Sequence, residues 1–242
     1  MKTLSLDRIL QSQGFGTRKG CRALIEGGEV AVDGTVVTRW QTEFQPEGLA
    51  FTVFGEPWAY RAHLYLALNK PPGYECSRKP SHHPGIHTLL PEQFTWREVQ
   101  PVGRLDHDTT GLLLLSDDGD FIHAQSHPKR HQPKVYQATL AHPADAGLVQ
   151  QLLDGVQLID EKAPIAALAA SLLDPLTIEI ALDQGKYHQV KRMLAAAGNH
   201  CAALTRTRIG QLSLAELELA EGQWCHLDQA QLARLGQADT VG

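Results

Sequence analysis

A carboxylate that does chemistry must be shielded from water and held in one direction, and one aspartate of this 242-residue chain is placed for both. Residues 103–119 read GRLDHDTTGLLLLSDDG. Asp106 stands in a polar loop that runs directly into the unbroken apolar stretch 112–115. Such a stretch forms a strand covered on both faces, so the loop before it is fixed to the core. A carboxylate there can act as a nucleophile or a general base; the simpler alternative is a turn cap. Asp108, Asp117, Asp118 and Asp120 are expected to do that capping. The Asp-rich patch lacks the ligand spacing and closing Glu of an EF-hand.

Two further segments could supply partners. In KVYQATL (134–140), strand alternation sets Tyr136 on the face of Lys134, Ala138 and Leu140. There it either fills core or offers a flat surface on which a base stacks. In GKYHQVKRML (185–194), Val190, Leu194 and Ala197 mark the apolar stripe of a helix, with Lys191 and Arg192 on its flanks. A cation beside a shielded carboxylate keeps it ionised. GxSxG, Walker A and GxGxxG motifs are absent, so hydrolase, NTPase and dinucleotide chemistry have no support. His123, His127 and His131 have helical spacing, but Pro128 and Pro133 interrupt it and no carboxylate joins them, so no metal site is expected. His82, His83 and His87 fall in a Pro- and Gly-containing loop and read as surface or RNA-facing residues.

The elements that must position these groups are also readable. Strands are expected at 65–68, 112–115, 135–140, 176–182 and 202–205, and helices at 144–153 and 187–197. Strands and helices do not alternate regularly, so a mixed α+β domain is expected rather than a Rossmann sheet. The first 48 residues read as a small module: Leu6, Ile9 and Leu10 on one helix, a second helix from Arg18 to Glu26 after Thr17, and a hairpin turning at Asp33-Gly34. Its second helix gathers Arg18, Lys19 and Arg22. The Pro and Gly breaks of 49–62 suggest a linker to a catalytic domain at 63–235, and a tail at 236–242 is expected to fray.

Net charge is −5, from 22 Lys and Arg against 27 Asp and Glu, which by itself argues weakly against a nucleic-acid partner. Residues 122–144 nevertheless carry +3 and residues 184–210 carry +5 with no acidic side chain in either, separated by a −6 segment at 145–183. Local cationic surface attracts a polyanion whatever the total. No apolar run reaches the ~18 residues of a membrane span. Four dispersed cysteines and a start without a leader-like apolar stretch suggest a reduced, cytoplasmic chain.

Taken together, GRLDHDTTGLLLLSDDGD, KVYQATL and GKYHQVKRMLAAAGN, with LALNKPPGYECS at 66–77 and LTRTRIGQLSL at 204–214, resemble the pseudouridine synthases. Within them the similarity is to the RsuA branch, which acts on small-subunit ribosomal RNA. The first 48 residues are similar to an S4-type RNA-binding module. The resemblance implies an S4-like αα-hairpin module followed by a catalytic domain on a mixed, largely antiparallel sheet. It makes Asp106 the catalytic aspartate, Tyr136 the stacking tyrosine and Lys191 the basic partner, with Arg192 as fallback. It also implies Arg104 beside the displaced nucleotide, and RNA contacts from Arg18, Lys19, Arg22, His188, Gln189 and Arg192. Uridine isomerisation implies no metal and no cofactor. The implied partner is 16S ribosomal RNA or an assembling small subunit, met by a monomer in the cytoplasm. A relative acting on large-subunit ribosomal or transfer RNA, or a catalytically silent S4-type protein, stays open.

Overall fold

The computed structural model describes residues 3–126 and 132–236 and divides into two compact units, Met1–Leu64 with His87–Gln100, and Tyr65–Ile86 with Pro101–Gly242. His127, His131 and tail residues 237–242 lie outside the described residues. The first unit contains β1 (Leu4–Ser5), α1 (Leu6–Ser12), α2 (Arg18–Glu26), β2 (Val30–Val32), β3 (Thr35–Val36), β4 (Glu43–Phe44), β5 (Ala50–Val53), β6 (Glu56–Ala59) and α3 (Glu92–Trp96). Thr17 caps α2 by accepting a hydrogen bond from the Gly20 N–H. Asp33 and Gly34 have φ of 49° and 76°, the two left-handed residues a type I′ turn needs.

The stretch read as a linker is a second hairpin. β2, β5 and β6 pair in order, with Phe51 and Val53 turned into a core made by Leu6, Leu10, Cys21, Ile25, Val30 and Val32. Its turn is formed by Phe54 (φ 52°) and Gly55 (φ 80°); Phe in a left-handed conformation carries no turn signal in a sequence. Beneath α2, Asp7 is fully buried and accepts from Ser5 Oγ (2.6 Å) and from the Nε atoms of Arg18 and Arg22 (both 2.8 Å). Burial opposes its charge, but these three donors prevail and hold the carboxyl at about 2.

The second unit is built on one sheet. Its elements are β7 (Tyr65–Lys70), β9 (Thr110–Ser116), α4 (Gly119–Ser126), β10 (Lys134–Leu140), α5 (Ala146–Asp154), β11 (Ala169–Asp174), β12 (Thr177–Leu182), α6 (Gln189–Ala196), β13 (Cys201–Ile209), β14 (Leu212–Ser213), α7 (Leu214–Leu217), β15 (Trp224–His226) and α8 (Gln229–Arg234), while β8 (Gln100–Val102) spans the boundary in the chain. The strand order is β11-β12-β10-β13-β9-β7-β15, antiparallel except for the β9–β13 step. The fold is thus mixed α+β. All five expected strands are present, and 110–116 is buried from Gly111 to Ser116. α6 begins at Gln189, two residues later than expected, because His188 is left-handed (φ 47°). α4 follows Asp118, whose Oδ1 accepts from the N–H groups of Asp120 and Phe121, the capping work expected of it.

Leu148, Leu152, Val190, Met193 and Leu194 of the helices pack with Ala138, Leu140, Ile178, Ile180 and Leu182 of the strands. A second cluster joins Ala67, Leu112 and Leu114 with Ile209, Leu212, Leu227 and Leu235.

Gly111 makes the parallel step possible. Its φ is 97°, and a Cβ there would lie 2.3 Å from the Arg206 carbonyl oxygen. Gly111→Ala should therefore cost at least ~2 kcal/mol and separate β9 from β13; a urea midpoint equal to wild type would contradict this. Asp7 gives a pH-dependent prediction. Its lowered carboxyl stabilises the fold above its unfolded value of 3.8, and that stability is lost as pH falls through about 2. Asp7→Asn should lose about 2 kcal/mol at neutral pH by urea titration, with the gap to wild type closing in acid.

Candidate active site

The loop that presents Asp106 is fixed from below. Lys70, at the end of β7, is 0% exposed, and its Nζ donates to the carbonyls of Pro71 (3.0 Å), His107 (3.1 Å) and Thr109 (2.9 Å). Burial pushes the Lys70 ammonium down from its ordinary value, opposed by Asp108 and Asp106 nearby. The Gly73 N–H donates to the His107 carbonyl (2.7 Å), and the Thr109 N–H closes the turn on the Asp106 carbonyl (3.1 Å). Beyond the turn, Thr110 Oγ1 lies 2.8 Å from Thr205 Oγ1, and Arg206 Nε donates to the Leu112 carbonyl at 2.7 Å. Asp106 therefore projects from backbone that cannot shift without breaking several buried hydrogen bonds.

The first turn of α6 brings the cations. Lys191 Nζ lies 3.2 Å from Asp106 Oδ2 and 2.6 Å from Asp108 Oδ1, and His188 Nε2 lies 3.1 Å from Asp106 Oδ1. Burial works against the Lys191 charge, but the hydrogen bond to Asp108 and the charge of Asp106 raise its pKa overall. The reverse holds at Asp108: partial burial favours the neutral acid, yet the Lys191 hydrogen bond and charge keep the carboxyl below its usual range. Arg192 turns away and pairs with Asp160, while its Nη1 donates to the Tyr187 carbonyl at 3.2 Å.

Tyr136 comes from β10. Its register partner on β13 is Arg206, after an irregularity between Val135 and Tyr136 that leaves Thr207 unopposed. A bulge beside a site re-aims a side chain. Tyr136, Arg104, Leu105, Asp106, Thr109, Lys186, His188, Gln189 and Leu204 line one open hollow. Arg104, Asp106, Tyr136, His188 and Gln189 are thus brought together, with Lys191 joined through Asp106. Gln189 is only 5% exposed, and its Oε1 accepts from the Lys186 N–H (3.0 Å), so its amide shapes the loop. Arg18 and Arg22 belong to the first unit, where each gives its Nε to Asp7; Arg22 also lies over the Trp40 ring at 3.8 Å, and Lys19 is exposed.

Three residues of the site exceed what sequence reasoning assigned. Asp108 was expected to cap a turn and instead shares the Lys191 ammonium; its i, i+2 spacing from Asp106 was the available signal. Lys70 precedes two prolines in LALNKPPGY, and only the fold shows it beneath the loop. Thr109 has a buried Oγ1 without a hydrogen-bond partner among the described residues. His83 stacks on His107 next to Asp106, at 4.5 Å and 7°. No group of three His, Cys, Asp or Glu among the described residues could hold a metal ion, and no helix among them is long and apolar enough to cross a membrane.

Residues 64–196 match the RNA pseudouridylate synthase family model, and residues 4–45 match the S4 domain. The ribosomal small subunit pseudouridine synthase A of Escherichia coli K12 is 36% identical over 95% of this chain and 99% of its own length. The Bacillus subtilis RNA pseudouridine synthase YtzG is 34% identical over 97% of this chain and 99% of its own. A crystal structure of a pseudouridylate synthase superposes with a TM-score of 0.67 at 33% identity, covering 96% of this chain and 99% of that one.

The shared ammonium yields a direct test. Asp108→Asn removes the closest carboxylate of Lys191, so the Lys191 side-chain titration followed by NMR should move to lower pH than in wild type. An unchanged midpoint would mean that Asp106 alone holds the charge.

Proposed function

The chain belongs to the RNA pseudouridylate synthases, and from that membership we propose that it converts a uridine of small-subunit ribosomal RNA to pseudouridine with Asp106 as its catalytic carboxylate. One observation carries the residue assignment: Asp106 stands in a hollow walled by Tyr136 and Arg104, with a cation at one oxygen and an imidazole at the other. The small-subunit target rests on relatives named for that activity, which match this chain over nearly its whole length.

The reaction rearranges one nucleotide and adds no atom. The N1–C1′ bond breaks, the uracil turns within the site, C5 bonds to C1′, the C5 proton leaves, and N1 takes up a proton in its place. The Asp106 carboxylate engages the nucleotide and takes part in this proton traffic. Lys191 and His188 orient it, one beside each carboxylate oxygen. Tyr136 is the flat wall against which the detached base turns. Arg104 lines the same hollow, where a cation can meet the phosphate of an extruded nucleotide. Glycoside hydrolysis would need a second carboxyl kept protonated as an acid. Asp108 is unsuited to that, being tied to the Lys191 ammonium and held ionised. The uridine must leave its stack to reach Asp106, so a loop or a loosened helix is the substrate form. Residues 4–45, the S4 unit, add RNA affinity through exposed Lys19 and the outward edges of Arg18 and Arg22. One chain carries the complete constellation, so a monomer working in the cytoplasm suffices.

Mapping pseudouridine in ribosomal and transfer RNA from cells with and without the gene tests the target. Loss of a small-subunit position is expected; loss confined to large-subunit or transfer RNA would overturn it. Asp106→Asn should lower turnover of that RNA by at least ~10³-fold while retaining binding and the urea midpoint. Substantial residual turnover would remove Asp106 from its role.

A further inference from the structure

The loop ahead of α6 holds an aromatic residue that the chemistry above does not use. Tyr187 is 74% exposed, although its ring lies 3.8 Å from that of His188 at an interplanar angle of 20°. His188 lines the catalytic hollow and reaches Asp106 with Nε2. Its backbone is left-handed (φ 47°, ψ 36°), a conformation non-glycine residues keep only where the surroundings impose it. Tyr187 is held in turn by Arg192, whose guanidinium donates to its carbonyl. A flat, solvent-facing ring is therefore stacked against a wall of the site, in a segment whose backbone Arg192 holds and which also contributes Lys186.

We propose that Tyr187 is the stacking platform for the nucleobase adjacent to the displaced uridine, with His188 as the ring joining that platform to the catalytic pocket. The occupant is a base of the same strand, because the ring is continuous with the hollow through His188 and cations of its own loop and helix lie beside it in the chain. Every base offers a π-face, so such a platform grips a neighbour without demanding its identity. It fixes the strand on one side of the extruded nucleotide, where unstacking has left a base without its partner. Tyr187 is thus a positioning residue for the substrate. The inference rests on the reading of the Asp106 hollow as the uridine site.

The test uses the full chain and a synthetic oligoribonucleotide centred on the mapped uridine. Tyr187→Ala should raise KM about ten-fold with kcat within two-fold, while Tyr187→Phe, which keeps the ring, should match wild type. Replacing one neighbour of the uridine, 5′ or 3′, by an abasic residue should cost wild type the same factor and cost Tyr187→Ala nothing further. An unchanged KM in Tyr187→Ala would overturn the proposal. So would a fall in kcat alone, or abasic and Ala penalties that multiply at both neighbours. Asp106→Asn is assayed in parallel: if it stays active, the reading of the hollow fails, whereas a Tyr187 failure with Asp106→Asn inactive concerns the platform alone.

Discussion

The buried Lys70 ammonium is the interaction on which the site depends. An isolated charge in a protein interior is costly unless hydrogen bonds replace its lost water. Lys70 uses all three N–H donors on carbonyls, two of them in the turn just after Asp106. The arrangement acts in both directions: the carbonyls solvate the ammonium, and the ammonium fixes the path of the backbone at His107 and Thr109. Burial, helped by the charge of Lys191, drives the Lys70 pKa down, while the carboxylates of Asp108 and Asp106 oppose that shift. The Asp106 loop is therefore held by charge from below and by Lys191 from α6.

The sheet converts this local order into a site. Asp106, Tyr136 and Lys191 come from segments far apart in the chain, and β13 brings them together. It pairs with β9 in parallel through Thr205 and Arg206, and with β10 in antiparallel through Arg206 opposite Tyr136. Arg206 thus sets the register of both neighbours at one level, and its Nε reaches across to the Leu112 carbonyl. A one-residue slip of β10 against β13 would turn Tyr136 to the opposite face. The bulge next to Tyr136 and the positive φ at Gly111 are the local distortions this convergence requires.

What could be read in the sequence followed from strong, local signals. The apolar run after Asp106 could only be a strand buried on both faces, so the loop before it had to be fixed. Alternation around Tyr136 and the stripe beside Lys191 were equally direct. Turn conformations at Phe54 and His188 were hidden, because left-handed Phe and His are imposed by surroundings rather than announced by residue type. Lys70 and Asp108 were hidden for another reason: the meaning of a charged residue depends on which charge meets it, and those meetings span 37 to 39 residues for Lys70 and 83 for Asp108.

Charge shows the same dependence on pairing. The +5 and −6 windows suggested a cationic face set apart from an acidic one, yet Asp160 and Glu161 of the acidic window sit on Arg192 and Lys186 of the basic one. The free protein therefore screens two of the cations near the Asp106 hollow with its own carboxylates. Under the proposed function, RNA phosphates entering there displace those partners, so each such contact yields only the difference between two charge-assisted interactions. Lys191 is committed likewise to Asp106 and Asp108, and Arg18 and Arg22 to Asp7. A net charge of −5 is then compatible with an RNA enzyme for a specific reason. In the free protein these cations position carboxylates and loops.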